Sequence, residues 1–404
     1  MKKIFFTAFI LSVSLVNMCA QIEWRNDRTG IYAKETGLLK SWPKNGPEML
    51  WYYDGLGDGH SSVAISNHKI YATGMIDQKG YLHVFDLNGN VLNKIEYGAE
   101  WTGGYDGTRA TPTIHDGKIY IMSGLGDLIC LDEKTLNVIW KRNILTDFDA
   151  KSPPAGISES PLVFGDKVIA TPGGVMHNIV ALDKNTGKLI WSGRGKDTVT
   201  SYCAPLYIGD LETPLVVTQT AEHIIGVEAS TGKLLWSFEN KNTNAIHGNT
   251  PIYADNMILV SSAGQGSTML QLSDGGRRAE IAWTLPELDN VMGGIVKLGN
   301  YIYGSGAGGR NRAWYCVDWK TGKIQYSERE SGLAVGVIIS ANGMLYCYSD
   351  KGEMALVRPT PEKFDIVSRF KVEKGTDQHF AHPSIYQGVL YVRHGDSLIA
   401  YKIK

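Results

Sequence analysis

The 404-residue chain carries a turn-and-strand pattern eight times, and this repeat restricts its fold more than any other feature. In each copy a polar turn leads into an apolar strand, as in NHKIY ending at Tyr71 and DGKIY ending at Tyr120. Six further copies follow at intervals of 42–49 residues and end at Ile169, Val217, Leu259, Tyr303, Tyr346 and Tyr391. Because a unit of this length cannot bury a core alone, the copies are expected to pack on one another.

A second recurring segment lies downstream in several units. LDKNTGKLIW ends at Trp191, and VEASTGKLLW ends at Trp236. An aspartate such as Asp183 can hydrogen-bond its own turn, and Gly187 supplies the positive φ of a tight hairpin. The segment therefore predicts a hairpin whose outer strand ends in an aromatic residue packed against the adjacent sheet.

Each unit is thus predicted to hold four short strands, which at this repeat length is typical of a β-propeller. The last copy has only three strands, and the run GPEMLWYYDG with Trp51 supplies the missing outer one. We therefore predict an all-β fold, an eight-bladed β-propeller of four-stranded antiparallel blades, closed by an N-terminal strand that completes the last blade. Two units depart from the hairpin pattern: Leu136 replaces the glycine, and the unit around Asp86 lacks the aromatic residue.

The N-terminus has the pattern of a signal peptide. A basic segment, Met1-Lys2-Lys3, precedes an apolar run over 4–16, and a small residue follows at Ala20. Met18 stands before Cys19 where a lipid-anchoring motif has a small residue, so we do not expect an anchor there. No later apolar run is long enough to span a bilayer, and a periplasmic or secreted location is expected. The chain then divides into a signal peptide at 1–20, an N-terminal extension at 21–45 and the propeller at 46–404.

Charge and cysteine content exclude several classes of function. The 40 basic and 41 acidic side chains nearly cancel, which argues against a nucleic-acid partner. The cysteines after the signal peptide show no CxxC spacing, which argues against a zinc cluster. They lie in apolar runs and are expected to be buried thiols, with a Cys316–Cys347 bridge left open. These cysteines are Cys130, Cys203, Cys316 and Cys347.

The segment AxDxxTGKxxW resembles the pyrroloquinoline-quinone-like (PQQ-like) propeller repeat, and the resemblance covers the chain from about residue 45 onward. ESPLVFGDKVIATPGG and AHPSIYQGVLY resemble an exported bacterial group within that superfamily. Its members are often labelled polyvinyl-alcohol-dehydrogenase-like or outer-membrane assembly lipoprotein-like. The resemblance implies the propeller fold, whereas function depends on the site that the fold carries.

The resemblance also raises the question of quinone chemistry. The quinoprotein alcohol dehydrogenases of this superfamily carry an adjacent cysteine pair beside the quinone and a calcium-bound aspartate. This sequence has no adjacent cysteines and no CxxCH haem motif. We therefore expect no PQQ, no other cofactor and no metal ion.

Polar and aromatic residues cluster in segments predicted to meet one face of the propeller. Several fall two to four residues before an inner strand or beside its start, and others lie in loops on the same face. We predict a binding funnel in which aromatic rings stack on a ligand and charged groups orient it; the alternative is a merely polar, water-lined channel mouth. Four other histidines, His68, His83, His115 and His394, are expected at turn or strand surfaces. The candidate binding residues are His60, Trp101, Tyr105, Arg109, Glu159, His177, Tyr202, His223, His247 and His379.

Two functions remain open at this stage. The first is an exported, non-catalytic binding or scaffold propeller, a monomer with an envelope protein or a glycan as its partner. The second is a funnel-site enzyme acting on carbohydrate, either a polysaccharide lyase or a carbohydrate or alcohol oxidoreductase. A lyase would need a base and an acid beside a neutralised carboxylate, and His247, Tyr202 and Arg109 supply these residue types.

Overall fold

The computed structural model describes residues 21–196, 199–241, 246–292, 294–307, 309–329 and 331–404. The predicted signal peptide and Cys19 lie outside these ranges. The described residues form eight antiparallel sheets of four strands, one of which gains a fifth strand from the N-terminal segment. The predicted eight-bladed β-propeller is therefore confirmed. Within the described ranges, the structure contains no helix with the length and hydropathy needed to cross a membrane.

The strands follow one another in the order that the repeat predicts. The two strands before the first blade are β1 (Ile31–Tyr32) and β2 (Glu48–Tyr53). Blade 1 contains β3 (Ala64–Ser66), β4 (Lys69–Ile76), β5 (Lys79–Asp86) and β6 (Val91–Ala99). Blade 2 contains β7 (Thr113–His115), β8 (Lys118–Met122), β9 (Asp127–Asp132) and β10 (Val138–Asn143). Blade 3 contains β11 (Leu162–Phe164), β12 (Lys167–Ala170), β13 (Ile179–Asp183) and β14 (Leu189–Gly193). Blade 4 contains β15 (Leu206–Ile208), β16 (Leu215–Gln219), β17 (His223–Glu228) and β18 (Leu234–Glu239).

The second half of the propeller repeats this arrangement. Blade 5 contains β19 (Ile252–Ala254), β20 (Met257–Ser262), β21 (Gly266–Ser273) and β22 (Arg278–Leu285). Blade 6 contains β23 (Val296–Leu298), β24 (Tyr301–Gly306), β25 (Ala313–Asp318) and β26 (Ile324–Glu328). Blade 7 contains β27 (Gly336–Ala341), β28 (Met344–Ser349), β29 (Glu353–Arg358) and β30 (Asp365–Lys371). Blade 8 contains β31 (Ser384–Tyr386), β32 (Val389–His394) and β33 (Ser397–Lys402). The short helical turns are Asn26–Gly30, Asp274–Gly276 and Gly309–Asn311.

The N-terminal strand closes the ring as predicted. β2 pairs antiparallel with β33, and Trp51 lies opposite Ala400 in this pairing. Blade 8 is therefore built from both ends of the described chain, so its outer edge is covered by β2.

Aromatic residues on the outer strands join neighbouring blades. The indole Nε1 of Trp140 donates to the carbonyl oxygen of Lys184 in the next blade at 3.0 Å. Trp191 donates in the same way to Ala229 at 3.1 Å, and Trp51 donates to Leu87 at 3.0 Å. The predicted packing of these rings against the adjacent sheet is therefore present in blades 2, 3 and 8.

Four cysteines and two of the four histidines expected at surfaces are buried within the propeller. All four cysteines after the signal peptide are buried free thiols, so the open Cys316–Cys347 bridge is not formed. The expectation that His83 and His394 lie at the surface is wrong, because they are 0% and 8% exposed. His83 lies on β5, which is enclosed between β4 and β6, and its ring stacks on Phe85.

Candidate functional site

The N-terminal segment fills the central channel. Ile22 pairs with Ile65 on the inner strand of blade 1, and Tyr32 pairs with Ala341 on the inner strand of blade 7. Both contacts lie near the ends of those strands opposite the predicted funnel. Between them, residues 25–28 have φ values of 52°, 43°, 53° and 66°, which form a left-handed turn. The segment therefore runs up the channel, turns and runs back, and we call residues 21–32 the plug.

Buried guanidinium groups fix the plug to several blades. Arg25 donates to the Ile295 carbonyl oxygen at 2.8 Å, and its Nη1 lies 2.8 Å from Nδ1 of His382. Arg28 donates to the Pro161 carbonyl oxygen at 2.9 Å. Burial lowers the pKa of Arg25 to about 10. The plug thus contacts blades 3, 6 and 8 at once and blocks the channel below the funnel face.

A cavity of about 850 Å³ lies above the plug. Its lining includes Trp24 from the plug and His382 from blade 8, whose rings meet edge to face with centroids 4.8 Å apart. Tyr105, Tyr202 and Phe380 add aromatic surface. The volume lies within the range of roughly 300–1,000 Å³ that suits small-molecule ligands.

The remaining cavity wall is largely apolar. Its aliphatic lining residues are Pro154, Ala155, Val199, Ala204, Ala221, Ile246, Val291 and Met292. No Asp, Glu or Lys occurs among the described lining residues. The cavity therefore offers apolar contact on most sides and few hydrogen-bonding groups.

Arg109 is the one cationic side chain among the described residues that line the cavity. Its Nη2 donates to the carbonyl oxygens of Gly104 and Tyr105, both at 2.6 Å. Its guanidinium lies 5.7 Å from the centre of the Trp101 ring. Partial burial lowers its pKa, and no carboxylate of the described residues forms an ion pair with it. The side chain is thus held in place while its charge lacks a direct counter-ion.

The two lining histidines are neutral. Burial, reinforced by nearby Arg393 and Arg109, lowers the pKa of His60 to about 3. Burial also lowers the pKa of His382 well below its usual value. In its neutral form, His382 accepts from Arg25 through Nδ1 and donates through Nε2 to the Met292 carbonyl oxygen at 2.9 Å. Neither ring therefore adds charge to the cavity.

The structure brings four of the sequence-predicted site residues together and separates the others. His60, Tyr105, Arg109 and Tyr202 line the cavity, and Trp101 lies behind Arg109. His177 and His223 do not line it.

The two histidines lie outside the cavity because of their places in blades 3 and 4. His177 lies 2.7 Å from the Ser192 hydroxyl and contacts the Phe148 ring. His223 begins β17. Both residues belong to segments between the second and third strands, which start further from the channel axis than the inner strands.

The other three predicted residues are absent from the cavity lining. Glu159 is 2% exposed and accepts from the Thr171 backbone N–H. A ring nitrogen of His247, which is fully buried, lies 3.0 Å from the Ala221 carbonyl oxygen. His379 contacts the Tyr348 hydroxyl and stacks on His394 with centroids 3.7 Å apart.

Alternation of side chains explains this separation. Arg109, Tyr202 and Phe380 stand three residues before a proline that leads into an inner strand, and all three line the cavity. Glu159 stands two residues before such a proline, and His247 stands four before it. In extended backbone, neighbouring side chains point to opposite sides, so an even offset faces the interior of the blades and an odd offset faces the channel.

The sequence reasoning missed three lining residues, His382, Trp24 and Phe380, and the same rule identifies His382 and Phe380. His382 stands directly before Pro383, at the position where blades 3 and 5 have Ser160 and Thr250. A histidine in place of a small residue at this channel-facing position is a detectable signal. Trp24 has no such signal, since it reaches the cavity only through the fold of the plug.

The buried carboxyl of Glu159 predicts a specific pH dependence. Burial raises the pKa of Glu159 from 4.5 to about 7, opposed by hydrogen bonds from Thr171 and by the charge of Arg28. An acid whose pKa is higher in the folded state costs no stability below pH 4.5 and destabilises the fold as pH rises through about 7. Glu159→Gln should therefore match the parent near pH 4.5 and exceed it by about 3 kcal/mol at pH 8.

Thermal unfolding of both proteins between pH 4 and pH 8 measures this difference. Other titrating groups affect parent and variant alike, so the difference isolates Glu159. Parallel stability profiles across the whole range would show that the carboxyl is not buried as described.

The residues present do not fit a quinone with its calcium ion. Over the described ranges, no three His, Cys, Asp or Glu side chains are grouped as metal ligands. The four cysteines after the signal peptide lie far apart in the sequence and are free thiols, so they supply no adjacent pair. Among the described residues, the cavity lining offers one guanidinium and no carboxylate.

Comparisons with known proteins agree on the fold and differ in function. The family model described as outer membrane protein assembly factor BamB matches residues 78–196 and 140–361. A quinoprotein ethanol dehydrogenase of Pseudomonas aeruginosa is 30% identical over 114 residues, which are 28% of this chain and 18% of that enzyme. The chain thus spans less than a fifth of the length of this curated relative.

Two solved structures show the same architecture at low sequence identity. BamB from Moraxella catarrhalis has a TM-score of 0.66 and 16% identity, with 88% of this chain and 99% of that chain covered. A europium-containing methanol dehydrogenase has a TM-score of 0.70 and 15% identity, with 93% and 90% covered. At these identities the structures demonstrate the fold alone. The family model matches more than half of this chain. The chain therefore belongs to the PQQ-like propeller family described as outer membrane protein assembly factor BamB.

Proposed function

We propose that this chain is an exported, non-catalytic binding or scaffold propeller of the bacterial envelope, with its binding face at the plugged cavity. The observation that carries the proposal is the cavity lining, which combines aromatic and aliphatic surface with one guanidinium. Binding needs such a preformed pocket, whereas acid–base catalysis needs proton-transfer groups within reach of the substrate.

The comparisons support a scaffold with a protein partner. The family carries the description of an outer membrane protein assembly factor, and the BamB structure is covered over 99% of its length. The ethanol dehydrogenase is matched over only 18% of its length. The first likeness supports an envelope location and a protein partner, and we propose that the chain acts as a monomer without a quinone.

The carbohydrate enzyme has less support. The lyase alternative needs His247, Tyr202 and Arg109 to meet one substrate. Tyr202 and Arg109 line the cavity, but His247 is fully buried with a ring nitrogen at the Ala221 carbonyl oxygen. A glycan would also bring many hydroxyl groups to a wall that offers few hydrogen-bond partners.

A capture experiment with two variants tests the scaffold function. The tagged protein, cross-linked in its own organism, should co-purify with outer-membrane assembly proteins. Tyr105→Asp places a charge on the cavity face, where this ring is 60% exposed, and should reduce capture. Lys188→Glu, on the opposite face, should leave capture unchanged.

The same preparation allows a test for quinone chemistry. Incubated with pyrroloquinoline quinone and calcium, it should show no dye-linked alcohol oxidation. Dye reduction with turnover would contradict the non-catalytic function.

The capture experiment also tests which face binds the partner. Capture that fails with Lys188→Glu but survives Tyr105→Asp would show that the binding face is on the other side of the propeller.

A further inference from the structure

We propose that the cavity binds a free monocarboxylic acid with an apolar body, either aromatic or medium-chain aliphatic. This inference deepens the proposed binding function, on which it rests, by naming the chemical class of the ligand. It follows from three features of the cavity: its charge, its hydrogen-bonding capacity and the position of the other buried cations.

The charge of the cavity lining predicts that the ligand carries one anionic group. Arg109 uses Nη2 for the carbonyl oxygens of Gly104 and Tyr105. Its Nε and Nη1 have no hydrogen-bond partner among the described residues. Both paired N–H faces of a guanidinium include Nη2, so these two groups bind a carboxylate oxygen through single charge-assisted hydrogen bonds and not through a bidentate pair. The contacts of Nη2 fix the side chain beforehand, so little conformational entropy is lost when an anion binds.

The rest of the lining predicts an apolar body without amide groups. Apart from Arg109 and the neutral histidines, the polar side chains of the described lining are Ser158, the tyrosines and Trp24. The indole N–H of Trp24 already donates to the Thr250 hydroxyl at 3.2 Å. The Tyr202 hydroxyl already accepts from the Ala155 backbone N–H at 3.2 Å. A peptide would bring backbone groups that this wall cannot satisfy, and each unsatisfied buried group costs about 1–3 kcal/mol. A free acid brings only its carboxylate and an apolar chain or ring.

The other arginines near the axis do not add to the anion site. Arg25 and Arg28 lie in the plug, and their guanidiniums donate to backbone carbonyl oxygens of the surrounding blades. Neither of them lines the cavity. A second or third carboxylate on the ligand would meet apolar wall, at a high desolvation cost. One carboxylate per ligand is therefore the best match.

Calorimetric titration with matched acids and alcohols tests the ligand class. The probes are 4-phenylbutanoate and octanoate, compared with 4-phenylbutan-1-ol and octan-1-ol, which keep the apolar body and lack the charge. Each acid should bind at least about tenfold more tightly than its alcohol, since a charge-assisted hydrogen bond is stronger than a neutral one. Arg109→Gln should remove this difference, because it removes the charge that the acid contacts and that the alcohol does not require.

A second variant keeps the test valid if Arg109→Gln disturbs the loop that it holds. Met292→Trp places a larger side chain on the cavity wall and should weaken binding of acids and alcohols alike. Lys188→Gln on the opposite face should change neither. Equal affinity for acid and alcohol, or an acid preference that survives Arg109→Gln, would overturn the ligand class.

The outcomes separate this inference from the proposed function. If neither acids nor alcohols bind while envelope proteins are still captured, the ligand class is wrong and the scaffold function stands. If acids bind in the manner described but no envelope protein is captured, the scaffold function is wrong and the cavity is a small-molecule site. An acetylated tripeptide ending in phenylalanine should bind more weakly than 4-phenylbutanoate, and equal binding would point to protein chain ends as the ligand.

Discussion

Deletion of residues 21–56 is expected to unfold all eight blades together. The deleted segment contains the plug and the closing strand β2, and it buries Ile22, Tyr32, Leu38 and Trp42 to 6% exposure or less. Each buried side chain of this size contributes about 1.5–3 kcal/mol. Their combined loss is comparable with the roughly 5–15 kcal/mol by which a native protein is stable. Circular dichroism of the purified truncation should show no cooperative thermal transition.

Trp51→Ala in the full chain is the matched comparison for this deletion. It removes one indole that spans blades 8 and 1 and keeps β2 and the plug in place. The variant should stay folded and lose about 2–4 kcal/mol, somewhat less than a fully buried tryptophan, because Trp51 is only partly buried. A truncated protein that melts at the parent temperature would show that neither closure nor the plug stabilises the ring.

The repeat made the architecture predictable because the sequence of each copy specifies the local structure of one blade. The hairpin turns, the alternating strands and the outer aromatic residue are encoded locally, and eight copies leave few other ways to bury the apolar faces. The closing strand was predictable for the same reason, since the last copy lacks one strand and Trp51 matches the missing outer one.

The two irregular units turn out to be related through packing. Where Trp140 crosses to blade 3, its ring lies against Gly187 of the hairpin there. Blade 1 lacks an equivalent aromatic residue, and the next hairpin, in blade 2, has Leu136 in place of the glycine. Leu136 and Ile95 of blade 1 pack against the same apolar cluster. The larger residue therefore occupies space that an indole fills elsewhere.

The site was less predictable than the fold. The sequence placed the right segments around one face, but an error of one residue in an extended chain reverses the direction of a side chain. Arg109 and Tyr202 reach the cavity, whereas Glu159 and His247 point into the blades. The plug was not foreseen because residues 21–32 show no period. Its contacts are with backbone carbonyl oxygens far away in sequence, such as that of Ile295.

Gly232→Ala is expected to destabilise the propeller by about 3–5 kcal/mol. Gly232 has a φ of +74°, a conformation that costs a residue with a side chain about 1–2 kcal/mol. A Cβ atom there would lie 2.3 Å from Cε3 of Trp191, whose indole is 8% exposed and donates to the Ala229 carbonyl oxygen. The ring must therefore shift, which sacrifices much of the roughly 3–5 kcal/mol that a buried tryptophan contributes.

Gly343→Ala measures the conformational cost of a positive φ without the cost of displacing an aromatic ring. Gly343 has nearly the same φ, +72°, and a Cβ atom there would meet nothing within 4 Å. This variant should lose only about 1 kcal/mol. Combining Gly232→Ala with Trp191→Leu should be non-additive by about 2 kcal/mol, because the second substitution removes the ring that the new methyl group displaces. Chemical denaturation of the parent, Gly232→Ala, Gly343→Ala, Trp191→Leu and the double variant measures both single costs and the non-additivity. If Gly232→Ala costs no more than Gly343→Ala, the indole does not lock blade 3 to blade 4 as the structure places it.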